Sequence, residues 1–147
     1  MLNGIPHFIM PDLLWVLASM GHGDTIAIVD RNFSGRRIAG HTTTGKLIRL
    51  EGIDAPTAVD GILQLMPLDD FVDAPLMHME AVDGPGKLLE VHQKVLGVCM
   101  ERSDFAISSV PVERFAYYPL AMASFALVQT SEARPYGNFL LKKGVVT

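Results

Sequence analysis

Apolar residues recur at helical spacing from Pro11 to Met20, where Leu13, Leu14, Leu17 and Met20 line one side of the segment. A proline opens it and Gly21 follows it, which suits a helix start and stop. Thr25–Val29 is a short apolar, β-branched run and predicts a buried strand. The stretch 31–52 is polar and glycine-rich and reads as a loop with one short strand near Lys46–Leu50. Asp54-Ala55-Pro56 has the form of an N-cap, with a helix expected to about Met66. Pro75–Val82 reads as a strand. Lys87 to about Met100 reads as a helix with Leu88, Leu89, Val91, Val95 and Val98 apolar. Phe105–Val110 is a further strand, and Val112 to about Ser124 a helix that Pro119 kinks or delays. Phe125–Thr130 and Asn138–Val145 read as closing strands, joined through 131–137 in a hairpin-like element.

Helices alternating with short apolar strands imply an α/β layered domain, its helices covering a mixed sheet. The chain has 147 residues, 49% hydrophobic and 19% charged, enough for one domain with a substantial core. A net charge of −4 without a basic cluster argues against nucleic acid as a partner. No apolar run reaches the roughly 18 residues of a membrane span, and the start lacks a signal-peptide pattern. The single cysteine, Cys99, has no partner for an intrachain disulfide and fits a reducing cytoplasm. A soluble cytoplasmic protein is therefore expected.

Several stretches invite chemistry and then withhold it. Gly40-His41-Thr42-Thr43-Thr44-Gly45-Lys46 matches most of a phosphate loop, but Leu47 stands where a magnesium-binding hydroxyl is needed. A strand, not a helix, is expected after it. His22, Asp24 and Asp30 lack the spacing of a metal site, so no metal is expected. His7, His41, His78 and His92 are scattered. His78 alternates with Met77 and Met79 and can face either side, His92 reads as a solvated helix residue, and Cys99 as a small core residue.

His22 differs in its setting, Met20-Gly21-His22-Gly23-Asp24, between a helix and a strand. Histidine has the unperturbed pKa nearest neutrality, which suits a general acid/base. Asp24 can orient the imidazole or simply cap the turn. Asp30 falls at the carboxyl end of the strand, where ligands bind in open α/β sheets. A straight strand would set His22 and Asp30 more than about 20 Å apart. They share a pocket only if Gly21–Asp24 folds back or a neighbouring subunit completes the site. Tyr136 and Asn138 flank Gly137 and, on an extended segment, face the same way, as a pair able to recognise hydroxyls. Arg114, Tyr117 and Tyr118 add a cation and two phenols upstream.

Met20–Asp24, the strand ending at Asp30, Arg114-Phe115-Ala116-Tyr117-Tyr118 and Pro135-Tyr136-Gly137-Asn138-Phe139-Leu140-Leu141-Lys142-Lys143-Gly144-Val145 together resemble the D-ribose pyranase / L-fucose mutarotase family. The wording is nearer the fucose branch, since the ribose branch would carry a histidine at position 114. The resemblance spans Leu13 to Val145 and is poorest from Phe33 to Asp73. It implies a three-layer α/β/α sandwich with a mixed sheet, assembled into rings, commonly decamers, with a pocket at a subunit boundary. It implies His22 as catalytic acid/base, and Asp30, Arg114, Tyr136, Asn138 and, less directly, Tyr118 as sugar ligands. The Tyr136–Asn138 strand would come from an adjacent subunit. Pro119 departs from the fucose branch, where a glutamate belongs.

The activity so implied is mutarotation of a free monosaccharide, most simply L-fucose or a related 6-deoxyhexose or pyranose, with no metal or organic cofactor. The alternative is a non-catalytic sugar-binding or transport-accessory protein that uses the same polar residues.

Overall fold

The computed structural model describes residues 2–147 and contains five helices and six strands among them. In chain order these are α1 (Pro11–Ser19), β1 (Thr25–Val29), α2 (Gly35–Ala39), β2 (Leu47–Leu50), α3 (Ala55–Leu63) and β3 (Leu76–Met79). Then follow α4 (Glu90–Glu101), β4 (Ser109–Val112), α5 (Arg114–Met122), β5 (Ala126–Thr130) and β6 (Phe139–Lys142). The strands form one sheet in the order β2-β5-β1-β6-β3-β4. All neighbours are parallel except β6, which runs antiparallel to both β1 and β3.

Side-chain alternation sorts the strands onto two apolar layers. Ile26, Ile28, Val128, Phe139 and Leu141 join residues of α1, α3 and α4 on one face. Ala27, Val29, Leu127 and Leu140 join Ile38, Ala39, Tyr117 and Ala121 of α2 and α5 on the other. Both faces of the sheet are thus covered, giving the expected α/β/α sandwich with a mixed sheet. Asp54 caps α3 by accepting the Thr57 N–H at 2.9 Å, a contact worth about 1 kcal/mol.

Four expectations need correction. The stretch 31–52 holds a helix, α2, whose five residues are too few to show a periodic pattern. The last two strands form no hairpin, because β1 lies between β5 and β6 and pairs with both. The fourth strand starts at Ser109 rather than Phe105. His92 is fully buried, not solvated, because α4 turns it under the sheet beside His78 at a ring separation of 4.3 Å. The phosphate-loop-like stretch ends in β2, a strand, which removes the helix N-terminus such a loop requires. Cys99 is buried as expected, and burial pushes its thiol up to about 12. Among the described residues, no helix is long and apolar enough to cross a membrane.

Candidate active site

The parallel strands end together along one edge of the sheet, and there Asp30 follows β1 directly. Its backbone N–H donates to the side-chain Oδ1 of Asn138 at 2.9 Å, joining the end of β1 to the start of β6. Its own carboxylate accepts the Asn32 N–H at 3.0 Å. Gln129 reaches across from β5 and donates to the carbonyls of Asp30 and Phe33, at 3.2 and 2.8 Å. These contacts fix the loop after β1. Asp30 is buried, and burial pushes its carboxyl up against the opposing effect of its hydrogen bonds. A buried carboxyl with a raised pKa at a strand end is a common mark of a functional site.

Tyr136 precedes this clamp with φ of 61°, the one non-glycine residue in the left-handed region among those described. Such a backbone costs of order 1 kcal/mol or more and persists where surrounding contacts hold it. The holding contact is His92, whose Nε2 donates to the Tyr136 carbonyl at 2.9 Å, while its Nδ1 accepts the Leu89 N–H at 3.1 Å. Gly137 sits against Glu132, Arg134 and Asp30, and a Cβ there would lie 2.9 Å from the Glu132 Cγ. Only a glycine lets the backbone come this close.

Tyr118 reaches the same edge from α5, its ring stacked on Phe33 at 5.3 Å and 14°. Tyr117 beside it is fully buried and donates its hydroxyl to the Phe139 carbonyl at 2.7 Å, which makes it part of the core. Arg114 opens α5 and is exposed on the flank, lining a small cleft with Glu80, Val82 and Glu113. β4, which α5 follows, lies three strands along the sheet from β1, the strand that Asp30 ends.

His22 lies at the opposite edge. The Gly21–Asp24 turn does not fold back toward Asp30. It is tied to the end of β6, with Gly23 N–H on the Lys143 carbonyl at 2.9 Å and Lys143 N–H on the Asp24 carbonyl at 2.8 Å. From Thr25 to Asp30 the chain rises about 17 Å at about 3.3 Å per residue. Asp24 does not touch the imidazole; its carboxylate caps the turn by accepting the Gly21 N–H at 2.8 Å. The carboxylate that meets His22 is Asp69, with Nε2 to Oδ1 at 3.0 Å. The Phe71 ring packs beside the imidazole at 5.3 Å.

The structure therefore gathers Asp30, Asn138, Tyr136 and Tyr118 at one edge, sets Arg114 on its flank and leaves His22 with Asp24 at the other. The resemblance implied a Tyr136–Asn138 strand from an adjacent subunit; within this chain Asn138 already bonds Asp30, so no neighbour is needed to bring these two together. Sequence reading missed Asp69, His92 and Gln129. A distant carboxylate and a helix histidine carry no local signal, and only their burial marks them. Among the described residues, no group of three or more His, Cys, Asp or Glu is placed to hold a metal ion.

The mixed α/β/α sheet gathers polar side chains at its strand ends, where ligands bind in open α/β folds. The chain belongs to the RbsD / FucU transport protein family, whose model matches residues 3–146. It is 39% identical over 145 residues to the L-fucose mutarotase of Actinobacillus pleuropneumoniae serotype 5b (strain L20), covering 99% of this chain and 97% of that one. The fucose mutarotase of Bos taurus is 38% identical, with 99% and 94% covered. The crystal structure of the fucose mutarotase from Streptococcus pneumoniae in complex with L-fucose matches with a TM-score of 0.88 at 35% identity, over 99% of this chain and 100% of that one. RbsD of Bacillus subtilis, complexed with D-ribose, shares the fold with a TM-score of 0.74 at 18% identity, over all of both chains. The family read from the sequence motifs is the one these comparisons return, and the fucose branch is the nearer.

Proposed function

We propose that this chain is a monosaccharide mutarotase, an isomerase that interconverts the anomers of a free sugar, with L-fucose or a related 6-deoxyhexose as substrate. The observation that carries this reading is near-full-length likeness, at 36–40% identity, to relatives named fucose or L-fucose mutarotase. The buried carboxyl of Asp30 beside Asn138, its pKa pushed up by burial, supports it.

The reaction moves only protons and one C–O bond. The His22 imidazole takes the proton of the anomeric hydroxyl as the C1–O5 bond breaks, and the imidazolium returns it to O5. The open aldehyde rotates about C1–C2 and closes on its other face by the reverse steps. One imidazole serves both directions, as base and then as acid. Asp30, Tyr136 and Asn138, with Tyr118 and Arg114 at the rim, hold the remaining hydroxyls so that proton transfer is aligned.

β1 keeps His22 and Asp30 at opposite edges, so the complete site takes Asp30, Tyr136 and Asn138 from one chain and His22 from its neighbour. This reading makes the protein a ring-forming homo-oligomer, with a decamer as the first size to test. Magnetisation-exchange NMR on L-fucose is the decisive experiment. Faster anomer exchange with wild-type protein, lost in His22→Ala, is expected. Sugar binding without acceleration by the wild type would replace this reading with a sugar-binding protein, and a monomer on size-exclusion chromatography would remove the shared pocket.

A further inference from the structure

We propose that Asp69 is a positioning residue for this reaction: it locks His22 as the Nε2–H tautomer, so that Nδ1 is the nitrogen that exchanges protons with the sugar. This rests on the reading of His22 given above.

The pair joins unlike environments. The Asp69 side chain is 2% exposed and that of His22 47%, so a buried group holds one end of a half-exposed ring. The same Oδ1 that meets Nε2 at 3.0 Å also accepts the Phe71 N–H at 3.1 Å. Burial raises the Asp69 carboxyl, but the Phe71 N–H and the His22 imidazole outweigh it and hold the group below the usual carboxylate range. Asp69 is therefore ionised at neutral pH and has no proton to give. The hydrogen of the 3.0 Å contact belongs to Nε2, and the lone pair of the neutral ring lies on Nδ1. Among the described residues, Nδ1 has no hydrogen-bond partner.

Both members are set by backbone, not by side-chain chance. Lys142–Gly144 runs between them. On one side it receives the Gly23 N–H and donates to Asp24. On the other, Asp69 N–H meets the Lys142 carbonyl at 3.0 Å and Gly144 N–H the Pro67 carbonyl at 2.9 Å. A Cβ at Gly144 would collide with the Leu68 carbonyl, so the Leu68–Asp69 strip lies flush against the chain end. Lys143 Nζ donates to the Leu17 and Met20 carbonyls, at 2.9 and 2.7 Å, and pins the residue before Gly21. The Phe71 ring beside the imidazole limits its rotation.

The arrangement has a catalytic consequence. When Nδ1 takes the anomeric proton, the new positive charge forms 3.0 Å from a carboxylate already in place. Nothing has to reorganise, and the imidazolium is stabilised as it appears.

Nitrogen-15 NMR of histidine-labelled wild type is expected to show His22 as the Nε2–H tautomer, and Asp69→Ala to show a mixture. In Asp69→Ala, kcat for L-fucose anomer exchange is expected to fall about 100-fold with KM unchanged. Asp69→Asn keeps an acceptor oxygen in place and is expected to recover part of the loss. If Asp69→Ala fails to fold, the wild-type spectrum and the Asp69→Asn rate decide. An Nδ1–H tautomer in the wild type, or a folded Asp69→Ala with wild-type kcat, overturns the proposal. His22→Ala is assayed alongside. If it is inactive while Asp69→Ala is fully active, this proposal alone fails; if it remains active, the reading of His22 fails first.

Discussion

His92, on α4 beneath the sheet, donates its Nε2–H to the carbonyl of Tyr136, whose backbone is left-handed. One helix thus braces, from the far layer, the segment that leads into the Gly137–Asn138 clamp on Asp30. Removing the donor in His92→Leu should cost about 1–3 kcal/mol and weaken L-fucose binding. His92→Gln, with an amide donor at a similar reach, should recover part of both. Thermal unfolding and sugar titration of the two variants check this, and equal L-fucose affinity in His92→Leu and wild type would separate the brace from the site.

The two buried histidines also set a pH dependence. Burial, and then the neighbouring His92, hold the His78 imidazole down to about 4, and burial lowers His92 as well. In the unfolded chain both protonate near 6.5. Between 6.5 and about 4 the unfolded state therefore binds more protons than the native state, and stability falls as pH falls. The slope is about 1.4 kcal/mol per pH unit for each histidine that only the unfolded chain protonates. Urea unfolding from pH 7 to 5 should show the decline, and His78→Asn should flatten it. An unchanged slope in that variant would assign the dependence elsewhere.

Gly137→Ala should be far more damaging than an ordinary loop substitution. The new methyl would lie 2.9 Å from the Glu132 Cγ, 3.2 Å from the Arg134 carbonyl and 3.6 Å from the Asp30 Cβ. Overpacking of this kind costs about 1–3 kcal/mol. The displacement would fall on Glu132 and the Arg134 carbonyl and shift the Gly137–Asn138 backbone that clamps Asp30, so L-fucose affinity should drop along with the melting temperature. Wild-type affinity in Gly137→Ala would show that the clamp tolerates a shift.

A site shared between chains predicts complementation. His22→Ala and Asp30→Ala should each lose anomer exchange when assembled alone. Unfolded together and reassembled, they should regain part of the wild-type rate, because some boundaries then pair an intact His22 with an intact Asp30. No recovery in demonstrably mixed assemblies would place both residues in separate functions.

The layers of this fold were legible because apolar runs such as Thr25–Val29 bury both faces and leave little choice of element. The strand order was not, since β5 and β6 follow each other in sequence yet each pairs with β1. Adjacency in the chain is a poor guide when a parallel partner already occupies the neighbouring place. At the site, Gly-His-Gly and Tyr-Gly-Asn stood out because glycines mark unusual backbone. His92 did not, since a lone histidine on a helix beside Gln93 and Lys94 reads as solvated. Asp69 did not because its meaning depends on a contact 47 residues away.

The last strand links the two edges of the sheet that the proposed mechanism joins. Asn138 enters at its start and clamps Asp30, while Lys142–Gly144 leaves its end and carries the His22 turn on one flank and Asp69 on the other. β6 thus works as a ruler with a mark at each end. A slip of one residue in its pairing would misplace both marks together, so neither half of the chemistry can drift while the other stays true. Selection on either end of this strand is selection on both, and under the proposed mechanism the acid/base and the sugar clamp are a single inherited length.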